Sequence, residues 1–217
     1  MKVAICYRGH YIRTARKKKH DFFSCYENHV KYLYSAFDSY DIFFNTHYVS
    51  DEDDKKLIEM LKPKEYSITK GQSNKLTSSH IKRSMKETSK LLDETEYDFI
   101  INLRFDLVFL KPFSTWDVQY DKFNFLFKDF KISWNMYKKT SDHMFCFPSK
   151  FLKIFVDKLK IKQKKPGCHL LWDLITQELS TENCHFVIPG YYSSNTDNKK
   201  NGQNGFVTLY RSAENIP

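Results

Sequence analysis

Four short apolar runs alternate with amphipathic stretches through the first half of the chain, and this alternation limits the possible folds most. Residues 3–7, 42–45, 66–69 and 98–103 read as strands. Between the first two lies "SCYENHVKYLYSAF", with a capping box at Ser24 and Glu27 and apolar Val30, Leu33, Tyr34 and Phe37 at helical spacing. "SDEDDKKLIEML" follows the second run, with Ser50 as cap, acids in the first turn, Leu57, Ile58 and Leu61 on one face, and Pro63 as the stop. After a polar loop over 71–79, a third helix is expected from about Ser79 to Thr95, with Ile81, Met85, Thr88, Leu91 and Leu92 inward. Strands separated by helices can lie side by side in parallel, because a parallel pair needs a long crossover. The prediction is an α/β fold with a mostly parallel central sheet flanked by helices.

The second half is less regular. Residues 123–127, 133–137, 144–147, 185–188 and 206–210 read as strands, with helices after Ser149 and over "HLLWDLITQEL", and "YYSSNTDNKKNGQNG" as a long polar loop. No repeat or linker divides the 217 residues, so one domain over 1–217 is expected.

A net charge of +9 suits a polyanionic or phosphorylated ligand, yet the basic runs lack the aromatic and glycine pattern of an RNA-binding module. Cys6, Cys25, Cys146, Cys168 and Cys184 are scattered with no CxxC pair, which argues against a disulfide framework or zinc site and for a reducing compartment. "MKVAICYRG" turns polar too soon for a signal peptide, and no apolar run approaches a membrane span. The expected location is the cytoplasm.

The strand in "DFIINLRFDLVFLKPF" contains a conflict. Arg104 and Asp106 interrupt an apolar run, where charges are excluded unless paired or bound. Ligands of open parallel sheets sit beyond the carboxyl ends of the strands. Three such ends here are polar: Arg8, Gly9 and Arg13 after the first, Thr46 and His47 after the second, Arg104 and Asp106 after the fourth. There is no GxGxxG and no GxxxxGK[ST], so dinucleotide binding and P-loop phosphoryl transfer lose support. A carboxylate ending an internal strand suits a metal-chelated nucleoside diphosphate, with the cation bridging the phosphates and a nearby arginine adding positive charge. The alternative is a plain Arg104–Asp106 pair, since i and i+2 share a strand face.

"YDFIINLRFDLVFLKPF" and the later "SDHMFCFPSKFL", together with "KVAICYRG" and "SSHIKRSM", resemble nucleotide-sugar glycosyltransferases of GT-A fold, closest to the small domains that giant algal viruses (chloroviruses) use to build capsid glycans. The family's metal motif is DxD. This chain has Arg104-Phe105-Asp106, so only Asp106 is carried over as a metal ligand. The resemblance implies a UDP-sugar or another nucleotide-sugar donor, a glycan or glycoprotein acceptor, Mn²⁺ or Mg²⁺, a role in virion or surface glycan synthesis, and the host cytoplasm as location. It divides the chain into a nucleotide-binding half, about 1–110, and an acceptor half, about 111–217. The loop Tyr7-Arg8-Gly9 would touch the nucleotide, and His80, Lys82 and Arg83 would reach the base, ribose or diphosphate. Asp142, next to His143, and Asp173, on a helix beside Trp172, are the candidate catalytic carboxylates, with Asp142 favoured as the base of an inverting transfer. His143 is grouped with the donor-binding residues. Two further readings compete: a non-catalytic basic α/β domain that binds nucleic acid or another polyanion, and a nucleotidyltransferase, which needs more carboxylates around its cations.

Overall fold

The computed structural model describes residues 1–15, 18–70, 78–93, 95–161, 170–192 and 205–209, with backbone alone at 13–15, 18–20, 78–81 and 208–209. The elements run β1 Lys2–Arg8, β2 Ile12–Ala15, β3 Lys18–Asp21, α1 Tyr26–Tyr32, β4 Ser39–His47, α2 Asp51–Leu61, β5 Glu65–Thr69, α3 Ser78–Ser89, β6 Phe99–Arg104 and β7 Leu107–Phe109. Then come β8 Phe123–Phe125, β9 Lys128–Asp129, α4 Lys131–Tyr137, β10 Met144–Pro148, α5 Leu152–Lys160, α6 Leu171–Leu179, β11 Cys184–Phe186, β12 Tyr191–Tyr192 and β13 Val207–Leu209.

The main sheet has the order β11-β8-β10-β6-β1-β4-β5. β5, β4, β1 and β6 are mutually parallel, β10 is antiparallel to both β6 and β8, and β11 is parallel to β8. This is the mostly parallel α/β architecture that the alternating pattern predicts. Side-chain alternation along the strands separates two cores. Val3, Ile5, Tyr7, Ile101 and Leu103 pack on one face with α1 and α2 residues. Ala4, Cys6, Ile100, Phe145 and Phe147 pack on the other with Met85 of α3 and Phe155 of α5. Cys6, Cys25, Cys146 and Cys184 are free and buried; Cys168 and most of the two polar loops lie outside the described residues.

Several local expectations shift. Ser50 caps α2 as predicted, accepting a hydrogen bond from the Asp53 amide at 3.0 Å. Ser24 does not cap α1, because Asp21 starts a 3-10 turn at Phe22 and α1 enters from Cys25. Residues 133–137 belong to α4 rather than a strand: Trp134 turns inward while Ile132 and Met136 face solvent, a helical period that an aromatic-rich run conceals. α3 ends at Ser89, not Thr95; the Thr88 and Ser89 hydroxyls bond back to the carbonyls of Ser84 and Met85 within its last turn.

One buried network fixes the segment after the Arg104–Asp106 turn. The Asn28 side chain pairs with both backbone groups of Phe109, at 2.8 and 2.9 Å, and the His29 ring reaches the Leu107 carbonyl at 2.6 Å. A carbonyl only accepts, so His29 Nε2–H donates to it and Nδ1 accepts from the Tyr7 hydroxyl at 2.7 Å. Tyr34 then donates to Tyr7. Burial lowers the His29 imidazole from 6.5 to about 4. The unfolded chain binds this proton near 6.5 and the folded one only near 4, so the stabilisation is complete above pH 6.5 and is lost as pH falls toward 4. That difference corresponds to about 3 kcal/mol. Chemical denaturation from pH 7 to 4 should show this loss in the wild type, and His29→Gln should lack that part of the slope.

Candidate active site

β1, β4 and β6 deliver Arg8, Asn45 and Arg104 side by side at their carboxyl ends: Arg8 is in register with Asn45 on one neighbour and with Arg104 on the other. β10 runs the opposite way and begins opposite Leu103, which brings Asp142 and His143 to the same rim. Even-numbered positions of β1 and β6 face the α3–α5 side, so Arg8, Asn102 and Arg104 share a face, while Tyr7, Leu103 and Phe105 fill the opposite core.

Phe105 explains the local shape of the motif. Its ring stacks on Tyr7 at 5.0 Å and meets Phe22 and Tyr11 edge-on. It anchors the turn from beneath while Arg104 and Asp106 project from it. Arg104 grips Asp106 with two bonds, Nε to Oδ1 at 2.7 Å and Nη2 to Oδ2 at 2.5 Å. Its Nη1 lies 3.7 Å from Oδ1 of Asp142. The Arg104–Asp106 pair that the spacing left open is therefore present, but it forms across the turn after β6 rather than along a strand face, and it also reaches a second carboxylate. The side chains of Arg104, Asp106 and Asp142 are 16%, 11% and 5% exposed, so their charges act in a poorly solvated setting.

Arg8 lies beneath this group at 2% exposure. Its Nε donates to Asn102 Oδ1 at 2.6 Å, its Nη2 donates to the Asp142 carbonyl, and its guanidinium lies over the Phe145 ring. Arg8 thus ties β1, β6 and the segment before β10 together. Gly9 follows with φ +92°, a conformation that favours glycine. Its amide donates to Ser84 Oγ at 3.0 Å and its carbonyl accepts from Thr46 Oγ1 at 2.8 Å, so both backbone groups are held. A Cβ there would meet nothing within 4 Å, which leaves backbone strain as the cost of substitution. Gly9→Ala should lose about 1–2 kcal/mol in thermal denaturation; an unchanged melting temperature would contradict this reading of the turn.

His10 and His47 stack at 4.4 Å beside the turn. Asn45 is 2% exposed, and among the described residues its Nδ2 has no hydrogen-bond partner. A buried amide donor in that state costs stability unless something accepts from it. His143 is fully buried, its carbonyl accepting from the Arg104 amide at 3.1 Å and its ring edge-on to Phe127.

The other sequence-predicted residues are dispersed. The Tyr7 hydroxyl points into the core, away from the Arg8 face. Lys82 reaches toward the Ile161 carbonyl at the end of α5, and Arg83 is exposed on α3. The side chains of Arg13 and His80 lie outside the described residues. Asp173 is exposed on the first turn of α6, where partial burial raises its carboxyl and Lys138 opposes the rise; no contact among the described residues links it to the rim. Trp172 beside it stacks on Phe186 at 4.8 Å within an aromatic cluster. Sequence reasoning missed Asn45, Asn102 and Ser84. Asn102 interrupts an otherwise apolar strand, and that was the available signal.

The Mn²⁺ or Mg²⁺ implied by the resemblance can be tested against these residues. Both oxygens of Asp106 are taken by Arg104, and among the described residues no three His, Cys, Asp or Glu side chains gather as a ligand set. A divalent ion about 5 Å from a guanidinium costs about 7 kcal/mol at an effective dielectric of about 20. Asp106 as it is held here does not fit a metal ligand.

No protein-family model matches this chain, and no curated protein is detectably similar to it in sequence. Among solved structures, its fold is similar to that of the nucleoside-diphosphate-sugar pyrophosphorylase from Vibrio cholerae RC9, with 15% identity, a TM-score of 0.48, and coverage of 85% of this chain and 90% of that one. At that level the likeness concerns chain outline, and the chemistry rests on the rim side chains. No helix among the described residues is long and apolar enough to cross a membrane.

Proposed function

We propose that the chain is a glycosyltransferase that moves a sugar from a nucleotide-sugar donor, a UDP-sugar in the first instance, to a glycan hydroxyl, acting as one domain over 1–217 with the nucleotide held mainly by its first half. The observation that supports this is the convergence of Arg104, Asp106 and Asp142 at the carboxyl rim of a parallel sheet, above the buried cation of Arg8. Such a rim is where open α/β sheets take ligands. An arginine beside carboxylates can bind a diphosphate at one end and a reacting hydroxyl at the other.

In this reading Arg104 faces the diphosphate. Asp142 accepts the proton of the acceptor hydroxyl as its oxygen bonds to the anomeric carbon, and the bond from that carbon to the diphosphate breaks with its electrons leaving on the phosphate oxygen. Arg8 acts by fixing the Asp142 backbone, since its guanidinium is buried. Gly9 shapes the first rim turn, His143 positions Arg104 through its carbonyl, and Tyr7 supports Phe105 from the core. Asp173 is set aside as the base because it stands on α6, apart from the rim. Lys82, Arg83, His80 and Arg13 are assigned to donor binding by the resemblance alone. The virion-glycan role follows the resemblance alone; the cytoplasmic location follows the scattered cysteines as well.

A panel of nucleotide sugars tests the reading. One donor should raise the melting temperature and release its nucleoside diphosphate slowly to water. Binding of random oligonucleotides with a steep salt dependence, and of no nucleotide sugar, would instead identify a polyanion-binding domain.

A further inference from the structure

We propose that Arg104 takes the place of a divalent cation, so that this chain binds a nucleoside diphosphate without metal and uses Asp106 as a positioning residue. The inference rests on the nucleotide-sugar reading above and adds how the diphosphate charge is met.

Three observations support it. First, one guanidinium spans both rim carboxylates, gripping Asp106 at 2.5 and 2.7 Å and standing 3.7 Å from Asp142. Bridging two carboxylates is the task a chelated ion performs at a strand end. Second, among the described residues the charges balance. Arg8 and Arg104 against Asp106 and Asp142 give no net charge, as two carboxylates with one divalent ion would. Third, the guanidinium is fixed. Its backbone amide donates to the His143 carbonyl at 3.1 Å, Phe105 is clamped among Tyr7, Tyr11 and Phe22, and Asp106 sets the plane of the fork. Arginine suits such a role because its charge persists at every physiological pH and its donors lie in one plane.

The carboxylate of Asp106 then orients a cation already in the chain. A diphosphate arriving at the rim meets guanidinium donors already in place, with no ion to recruit. A second, mobile cation would have to displace that bidentate pair before Asp106 could ligate it.

Calorimetric titration of the intact chain with UDP and with inorganic pyrophosphate, in EDTA and again in excess Mn²⁺, tests this. The expected UDP dissociation constants agree within about threefold between the two conditions. Arg104→Ala should weaken UDP in EDTA by about tenfold to a hundredfold, with Arg104→Lys recovering part of the loss. Asp106→Asn should leave UDP binding as indifferent to Mn²⁺ as in the wild type. Tightening of wild-type binding by Mn²⁺ of more than about tenfold, abolished in Asp106→Asn, would overturn the inference and spare the nucleotide-sugar reading. Failure of UDP and pyrophosphate to bind in either condition would overturn both. The wild-type comparison needs no variant, so an unfolded Arg104→Ala leaves the test intact.

Discussion

Asp142→Asn is expected to reduce sugar transfer by about a thousandfold while leaving the fold and UDP affinity close to wild type. The amide keeps the volume of the carboxylate, and the Asp142 backbone carbonyl still accepts from Arg8, so the loop before β10 stays in place. What is lost is the acceptor of the hydroxyl proton. Arg104 retains its bidentate partner Asp106, so no buried cation is abandoned. Initial rates of nucleoside diphosphate release with donor and acceptor, beside calorimetric UDP binding, separate the outcomes. A rate within about tenfold of wild type would remove Asp142 from the chemistry. A loss of UDP binding to match would make it a binding residue. Asp173→Asn, at an exposed position of α6, is the control and should leave the rate unchanged.

Arg8→Met is expected to act on stability instead. Two buried acceptors, Asn102 Oδ1 and the Asp142 carbonyl, lose their donor in one substitution. Leaving each unsatisfied costs about 1–3 kcal/mol, so a loss of about 4 kcal/mol follows, or a melting temperature lower by roughly 10 °C in a chain of this size. Methionine fills much of the same volume over the Phe145 ring, which keeps a cavity from dominating the result. Replacing a buried charge by an apolar side chain sometimes stabilises a protein. That result here would mean that Arg8 is kept for its charge at the rim rather than for tying β1, β6 and the segment before β10 together.

Much of the scaffold was legible in the chain. The alternation of apolar runs with capped amphipathic stretches specified β1, β4, β5 and β6 as strands of a parallel sheet, though not their order, and the Ser50 cap is where the spacing put it. α4 was not legible, because "SWNMY" carries strand-like residues and only the burial of Trp134 against the exposure of Met136 reveals its period. The antiparallel β2–β3 pair was missed for a different reason: its basic run reads as a solvated loop and carries no apolar alternation.

The site was half legible. Arg104 and Asp106 stood out as charges in an apolar strand, and convergence of strand ends predicted their company. Their grip on each other depends on rotamers that spacing does not fix. Asp142 was found through its place before an apolar strand, but its meeting with Arg104 follows from β10 running antiparallel beside β6. Asn45 and Ser84 are ordinary polar residues in sequence, and only the tertiary fold brings them to Gly9.

A crystal structure of the chain with UDP tests the central claim most directly. Diphosphate oxygens are expected within hydrogen-bonding distance of Arg104, at the rim shared by β1, β6 and Asp142. A nucleotide bound elsewhere on the surface, with Arg104, Asp106 and Asp142 undisturbed and apart from it, would contradict the account.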